Sequence, residues 1–217
     1  MSRIGIGIVG AGKAGSNFAQ VLQGLSEKAG TIGFCTAHGK TAREAARRFG
    51  AEIGAEDLSQ LLERADLQAV IVASPDRFHC DQVVAAAEAG KHILCEKPMC
   101  RSVEEAGRMI AACRANGVVL MVGFTDRFNQ PCLEARRRID AGEIGVPRMI
   151  LARRCHPRSV VRGRRWLNDG ETGGVLNYAG THNIDLICWY MGGAPQRVHG
   201  EMGQLIKIGR ASCRERV

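Results

Sequence analysis

The sequence predicts an α/β fold in which helices cover both faces of a parallel sheet. Short, continuous apolar segments, beginning with Ile4–Val9, alternate with helical segments through the first half of the 217-residue chain. Two capping boxes, beginning at Thr41 and Ser102, mark helix starts. Apolar residues make up 45% and charged residues 24%, which excludes collagen-like, coiled-coil and disordered chains. No apolar run approaches the roughly 18 residues that span a bilayer, so we expect no membrane association.

Turn signals separate the expected elements. Gly50 and Gly117 each follow a helical segment, and glycine suits the left-handed residue that ends a helix. The run at 69–73 is rich in β-branched residues and is closed by Ser74-Pro75, as expected for a buried strand. The predicted strands are 4–9, 31–36, 69–73, 92–95 and 118–124. The predicted helices are 14–25, 41–49, 79–89 and 103–116.

The pattern changes after residue 124. We expect a helix at 130–141, a strand near 148–155 and a helix at 182–191. This region is too short to close a sheet of its own. We therefore expect a doubly wound domain at 1–124, followed by an incomplete α/β domain at 125–207.

Residues 208–217 show no apolar periodicity. Their codons can be written as read-through into a common sequencing adapter, so we interpret this segment as a non-native tail. A genuine basic tail is the alternative. Without the segment, which contains three Arg and one Glu, the formal charge of +8 falls to +6.

The nine cysteines favour a reducing compartment. None of them forms a C-x-x-C pair, so the spacing typical of a zinc ribbon is missing and we expect no metal site. Their number is odd and most lie in apolar segments, which favours free thiols and a cytoplasmic location.

A glycine-rich motif of the form G-x-G-x-x-G lies between the first strand and the first helix. In this context the motif predicts a Rossmann-type dinucleotide site, because the first glycine permits the tight turn and the second lets a pyrophosphate approach the backbone. The amino end of the helix then offers free N–H groups to the phosphates. The motif comprises Gly10, Ala11, Gly12, Lys13, Ala14 and Gly15.

The second strand ends without the acidic residue that usually binds the adenosine ribose. About 20 residues beyond the motif, where that acid is expected, the sequence reads Thr36-Ala37-His38. A missing carboxylate removes a barrier to a 2′-phosphate, and Lys40 and Arg43 could supply positive charge. The sequence therefore favours NADP over NAD. The alternative is that the Lys40 and Arg43 side chains are simply solvated.

Lys97 follows the predicted strand at 92–95, at the edge of a parallel sheet where ligands bind. A lysine there can stabilise negative charge developing on a substrate oxygen. The alternative is a lysine that faces solvent at a strand end.

Two long segments carry a family resemblance. The first contains A-V-I-V-A-S-P-D from Ala69, then His79, then A-G-K-H-I-L-C-E-K-P ending at Pro98. The second reads G-G-V-L-N-Y-A-G-T-H-N-I-D and ends at Asp185. Together they resemble the Gfo/Idh/MocA oxidoreductases, which include inositol and sugar dehydrogenases, and the similarity extends from about Arg3 to about Met202.

The resemblance implies a fold, an assembly and site residues. It implies a second domain with an open, largely antiparallel sheet, often the interface of a homo-oligomer, and a cis Lys97–Pro98 bond. The implied catalytic residues are Lys97, His182 as proton acceptor and Asp185, which would hold the substrate or the histidine. The implied cofactor contacts beyond the glycine motif are Thr36, Ser74, Pro75, His79, Glu96 and Lys97. The implied substrate contacts are Lys97, Trp166, Asp169, Tyr178, His182 and Asp185.

The sequence departs from the family pattern in places. Tyr178 stands four residues before His182, where the family often has an aspartate. The family's glycine run begins here with Thr172, and Asp76 replaces a common asparagine. Relatives also continue well beyond the end of this chain.

The residues themselves support a role for His182. Positions 182 and 185 share a helix face, and a histidine that titrates near neutral pH suits removal of an alcohol proton. The alternative is a histidine that caps its helix, with Asp185 stabilising the first turn.

Seven arginines lie between residues 148 and 165. A clamp for a phosphorylated or carboxylated substrate and a solvated loop both fit them. A nucleic-acid surface fits less well, since aromatic residues make up only 5% of the sequence.

These observations predict an NAD(P)-dependent dehydrogenase acting on a secondary hydroxyl of a sugar or cyclitol. Two rivals stay open: a redox glycosidase of the same fold, and a sensor that binds the dinucleotide without turnover.

Overall fold

The structure, a computed structural model, describes residues 3–155 and 176–201. It divides into two compact units, Met1–Gly123 and Phe124–Val217. Trp166, Asp169 and the tail at 208–217 lie outside the described residues.

The first unit is built on a six-stranded parallel sheet with the order β3-β2-β1-β4-β5-β6. The order steps outward from β1 in both directions, which is the doubly wound arrangement and confirms the predicted α/β fold. The strands are β1 (Ile4–Val9), β2 (Ala29–Cys35), β3 (Ile53–Ala55), β4 (Ala69–Val72), β5 (His92–Cys95) and β6 (Leu120–Val122).

Helices connect these strands. The α5 helix begins after Ser102, whose side chain accepts a hydrogen bond from the Glu105 N–H at 3.1 Å, as the capping box predicted. The helices of the first unit are α1 (Lys13–Gly24), α2 (Gly39–Phe49), α3 (Leu58–Leu62), α4 (His79–Glu88) and α5 (Val103–Ala115).

The sheet separates two hydrophobic cores. Alternate residues of β4 point to opposite faces: Val70 and Val72 belong to one core and Ile71 to the other. Ile71 packs in the core that includes Ala19 of α1 and Ala42 of α2, whereas Val70 packs in the core that includes Val83 and Met109 of α4 and α5. Burial on both faces explains why the strands read as continuous apolar runs.

Two short elements, β3 and α3, were not predicted from the sequence. β3 is three residues long and contains a glycine, so its pattern is too weak to read alone. It forms because Ile53, Gly54 and Ala55 pair in register with the end of β2.

The start predicted for α2 is wrong. The helix begins at Gly39, with Thr41 inside its first turn and no side-chain cap on it. The Gly39 N–H instead donates to Glu56 Oε2 at 3.3 Å. A carboxylate from outside the helix thus satisfies its amino end, which allows an earlier start than the local capping box.

The second unit is helical in its described part. It contains a 3₁₀ turn at Thr125–Phe128, α6 (Gln130–Asp140), a π turn at Leu176–Gly180 and α7 (Thr181–Met191). The strand predicted near 148–155 is not formed, because no described residue of this unit offers a strand to pair with it. The largely antiparallel sheet stays a prediction. No helix in the described ranges has the length and apolar character to cross a membrane.

Candidate active site

The glycine turn after β1 is closely packed. Gly10 has φ +103°, and a Cβ there would lie 2.6 Å from the Ala73 carbonyl oxygen of the segment after β4. A Cβ on Gly15 would lie 1.9 Å from the Gly10 carbonyl oxygen. Both positions therefore require glycine, and the turn is held against the carboxyl ends of β1 and β4.

The amino end of α1 is open. No atom lies within 4 Å of where a Cβ on Gly12 would be, and no described side chain caps the helix. Ala11 and Lys13 flank this space, and the first turn of α1 contains no acidic residue. Free N–H groups and the positive end of the helix dipole suit a pyrophosphate.

Thr36 directly follows β2, and its hydroxyl forms a hydrogen bond within the loop that follows the strand. Its hydroxyl donates to the His38 carbonyl oxygen at 2.8 Å. Its backbone N–H donates to the Ala55 carbonyl oxygen at 3.2 Å, which brings Glu56 alongside it. Glu56 was not predicted from the sequence, because its carboxylate comes from the end of β3 and not from β2.

Asp76 lies in the turn after Ser74-Pro75 and is only 6% exposed. Its Oδ1 accepts the Arg77 N–H at 2.9 Å, whereas its buried Oδ2 has no hydrogen-bond partner among the described residues. A buried acceptor without a donor suits a sugar hydroxyl of a bound dinucleotide. Together with the open space at Gly12, this atom shows that the residues present fit the expected cofactor.

His79 is 1% exposed and uses both ring nitrogens within the protein. Its Nε2 lies 2.9 Å from the Ser74 carbonyl oxygen and its Nδ1 lies 3.0 Å from the Pro98 carbonyl oxygen. The ring thereby connects the turn after β4 to the turn that carries Lys97. The geometry supports a positioning role more directly than the expected cofactor contact.

Glu96 and Lys97 lie at the carboxyl end of β5, on the same sheet edge as the glycine turn. The Lys97 N–H donates to Glu96 Oε2 at 3.0 Å, and the Lys97–Pro98 peptide bond is cis, as the resemblance implied. Burial raises the pKa of the Glu96 carboxyl, against the opposing effect of this hydrogen bond and of the Lys97 charge. Lys97 itself is half-buried.

In the second unit, His182 is buried at the start of α7 with a carboxylate beside it. His182 Nδ1 lies 3.9 Å from Oδ1 of Asp126, in the 3₁₀ turn after β6. The other oxygen of Asp126 accepts a hydrogen bond from Arg154 Nη2, and Arg154 Nε donates to Asn183 Oδ1 at 3.0 Å. Arg154, one of the seven arginines between residues 148 and 165, thus pairs with Asp126 and Asn183, and its role towards a substrate stays a prediction.

Asp185 has a different partner. Arg127 Nε and Nη2 donate to its two carboxylate oxygens at 2.7 and 2.6 Å, and its side chain is 8% exposed. The Arg127 guanidinium also lies 5.3 Å from the ring centroid of Trp189. The geometry supports Asp185 as an anchor of α7 more directly than as a contact of His182 or substrate.

The comparison with known proteins decides the family. Residues 4–124 match the oxidoreductase family with the NAD-binding Rossmann fold, and residues 132–211 match the Gfo/Idh/MocA C-terminal domain. The chain belongs to the Gfo/Idh/MocA oxidoreductase family. The resemblance seen in the sequence is thus confirmed, as is the NAD-binding character of its first domain.

Two relatives of the chain have names that indicate different activities. The scyllo-inositol 2-dehydrogenase (NAD(+)) of Bacillus subtilis is 42% identical over 106 residues, covering 49% of this chain and 31% of that protein. The 2,7-anhydro-N-acetylneuraminate hydratase of Mediterraneibacter gnavus is 28% identical over 211 residues, covering 97% and 55%.

A solved structure supports the same assignment. The scyllo-inositol dehydrogenase from Lactobacillus casei, with bound NAD(H) and scyllo-inositol, aligns with a TM-score of 0.80 at 27% identity, covering 88% of this chain and 57% of that one. The chain spans less than two thirds of the length of these relatives.

Several of the residues predicted from the family pattern stay predictions. Tyr178 lies half-buried in the π turn before α7, while Trp166 and Asp169 fall outside the described residues. The eight cysteines in the described ranges are free thiols, and no group of three metal-binding side chains was found in those ranges.

Asp126 and Arg127 were also not predicted as site residues from the sequence. Both come shortly after the strand predicted at 118–124, and polar residues that follow a parallel strand in the sequence are candidates for function. Their position was visible in the sequence. Their partners, His182 for Asp126 and Asp185 for Arg127, could not be assigned without the fold.

Proposed function

We propose that the protein is a dehydrogenase that moves a hydride between a nicotinamide dinucleotide and a secondary hydroxyl of a cyclitol or sugar. One observation carries the proposal: the glycine turn after β1 and Lys97 after β5 lie on the same edge of one parallel sheet. In open α/β sheets this edge binds ligands. The cyclitol dehydrogenases among the relatives support the substrate class.

Each residue has a defined task in this proposal. The amino end of α1 binds the pyrophosphate, and Asp76 Oδ2 accepts a hydrogen bond from a sugar hydroxyl of the dinucleotide. When bound, the nicotinamide supplies the hydride chemistry. The Lys97 ammonium stabilises negative charge that develops on the substrate oxygen. His182 Nε2 accepts the proton of the substrate hydroxyl during oxidation and returns it during reduction.

We propose NAD as the preferred dinucleotide. The NADP preference predicted from the sequence depended on the lack of an acidic residue at the end of β2, and that preference stays untested. Glu56, however, lies alongside Thr36 with its carboxylate at the amino end of α2. A carboxylate at this place disfavours a 2′-phosphate by charge repulsion.

A second candidate is a reaction without net redox change, such as glycoside hydrolysis, in which the nicotinamide ends each cycle as it began. The similarity to a protein named as a hydratase favours keeping this candidate. A homo-oligomer and a cytoplasmic location remain part of the proposal for the whole protein.

The test is an assay of nicotinamide absorbance with a panel of cyclitols and sugars, using NAD and NADP in turn. We expect Lys97→Ala to lower turnover by about 10²–10³-fold while dinucleotide binding, measured by calorimetry, is retained. Lys28→Ala, an exposed lysine next to β2, is the control and should leave both unchanged.

The same assay separates the rivals. Cleavage of a glycoside with no net change in nicotinamide absorbance would favour the reaction without net redox change. Binding without any turnover would favour the sensor, and no binding of either dinucleotide would contradict the proposal.

A further inference from the structure

We propose that Asp126 positions His182 for proton transfer, holding the imidazole from its Nδ1 side so that Nε2 is presented to the substrate hydroxyl. The inference rests on the proposed function and adds a residue to it. Asp126 does not touch the substrate in this scheme and is therefore a positioning residue.

The geometry begins with burial and distance. Asp126 Oδ1 lies 3.9 Å from His182 Nδ1, and the two side chains are 21% and 8% exposed. This separation is longer than a hydrogen bond, and the contact is an ion pair only when His182 is protonated. Hydrogen bonds of catalytic groups are often long without substrate and shorten in the reacting complex, so the distance is compatible with the role.

A second contact holds the carboxylate in place. Asp126 Oδ2 accepts from Arg154 Nη2, and Arg154 Nε donates to Asn183, the residue after His182. The same guanidinium thus connects the 3₁₀ turn to the first turn of α7. With one oxygen held by Arg154, Asp126 keeps its other oxygen towards the imidazole.

The charged groups around His182 favour this assignment. From the 3₁₀ turn Asp126 faces the ring, and from the segment after α6 Arg154 offsets part of its charge. On α7 itself, Asp185 is neutralised by its two-point pair with Arg127. Asp126 is therefore a carboxylate placed to act on the imidazole.

The chemistry follows from the two ring nitrogens. A neutral imidazole carries one N–H, and an acceptor beside Nδ1 places that hydrogen there. Nε2 then keeps its lone pair and can take the hydroxyl proton. The imidazolium that forms is stabilised by the Asp126 carboxylate, as in catalytic dyads generally.

The first experiment reads the tautomer directly and does not depend on turnover. Protein labelled with ¹⁵N at its six histidines is compared with His182→Gln, which assigns the His182 signals. We expect wild-type His182 to be protonated at Nδ1 when neutral, and Asp126→Ala to move the proton to Nε2. Asp126→Asn should keep it at Nδ1, because the amide oxygen can still accept.

The second experiment measures the pH dependence of turnover. Asp126→Asn should lower kcat about 10–100-fold with little change in KM, the range for loss of a residue that orients another. The acidic limb of the pH profile should move to lower pH, because a carboxylate no longer favours the protonated imidazole. Asp126→Glu should recover part of kcat, and Glu143→Gln, an exposed acid paired with Arg137, should change neither quantity.

A purely structural role for Asp126 makes different predictions. If Asp126 served only to hold Arg154, Arg154→Met would reduce kcat as strongly as Asp126→Asn, and Asp126→Ala would leave the tautomer unchanged. A wild-type His182 protonated at Nε2 would also overturn the inference. If the tautomer results hold but no alcohol is oxidised, the proposed function fails while the Asp126–His182 pairing stands.

Discussion

Arg127 and Asp185 are joined at two points, with Nε to Oδ2 at 2.7 Å and Nη2 to Oδ1 at 2.6 Å. This pair ties the 3₁₀ turn at Thr125–Phe128 to α7, and the same two elements bring Asp126 to His182. The sequence placed Asp185 beside His182 on one helix face, and the structure shows that its carboxylate is engaged elsewhere. The ion pair therefore orients the helix that carries the histidine.

Removing Arg127 tests this anchoring. Arg127→Leu leaves the Asp185 carboxylate buried without a charged partner, and we expect the free energy of unfolding to fall by about 1–3 kcal/mol. The loss should stay below that of a fully buried pair because the arginine side chain is 37% exposed. Urea unfolding provides the measurement. Arg108→Leu, which removes an exposed pair with Asp81, is the control and should cost no more than about 1 kcal/mol.

The glycine turn predicts a contrast between two alanine variants. Gly15→Ala places a Cβ 1.9 Å from the Gly10 carbonyl oxygen, so the turn must shift. We expect about 1–3 kcal/mol of destabilisation together with loss of dinucleotide binding. Gly12→Ala meets no atom within 4 Å and should fold normally, yet bind the dinucleotide more weakly because the methyl group occupies the space for the phosphates.

A third glycine controls for the effect of substitution itself. Gly107 lies inside α5 with no atom near its Cβ position, so Gly107→Ala should raise stability by about 0.5–1 kcal/mol. Thermal unfolding and calorimetric titration of the three variants are the measurements. Equal dinucleotide affinity in the Gly12→Ala variant and the wild type would contradict the phosphate site.

Glu56 predicts the choice of dinucleotide. Glu56→Gln removes the negative charge at the amino end of α2 while keeping an oxygen that can accept from the Gly39 N–H. We expect the ratio of NADP to NAD affinity to rise by at least about tenfold, since one charge–charge interaction of about 1.4 kcal/mol corresponds to that factor. Glu63→Gln, an exposed acid beyond α3, should leave the ratio unchanged. An unchanged ratio for Glu56→Gln would remove this residue from the adenosine site.

Glu96 predicts a pH dependence of stability. Its pKa is raised above 4.5 in the folded chain, chiefly by burial, so folding favours the protonated carboxyl. The stabilising contribution of the protonated Glu96 carboxyl is fully present below its pKa in the unfolded chain. It is lost as the pH rises through its pKa in the folded chain. Glu96→Gln should therefore gain stability relative to wild type over the pH range from about 4.5 upwards. Denaturant midpoints across that range test it, and a difference that shrinks with rising pH would contradict the prediction.

The sequence by itself determined the class of fold and the placement of the glycine turn. Continuous apolar runs can only be buried on both faces, and the G-x-G-x-x-G motif between β1 and α1 allows little else. The resemblance carried by the Glu-Lys-Pro turn also identified the family correctly. These features are local: each depends on residues that are neighbours along the chain.

Only the tertiary structure decided which side chains meet. Glu56 reaches the start of α2 from β3, and Asp126 reaches His182 across more than fifty intervening residues. The spacing of charges along a sequence cannot reveal such partners, because they are brought together by the pairing of strands and the packing of helices. For the same reason the sequence left Asp185 as a partner of the substrate, of His182 or of its own helix turn, and could not show that Arg127 binds its carboxylate.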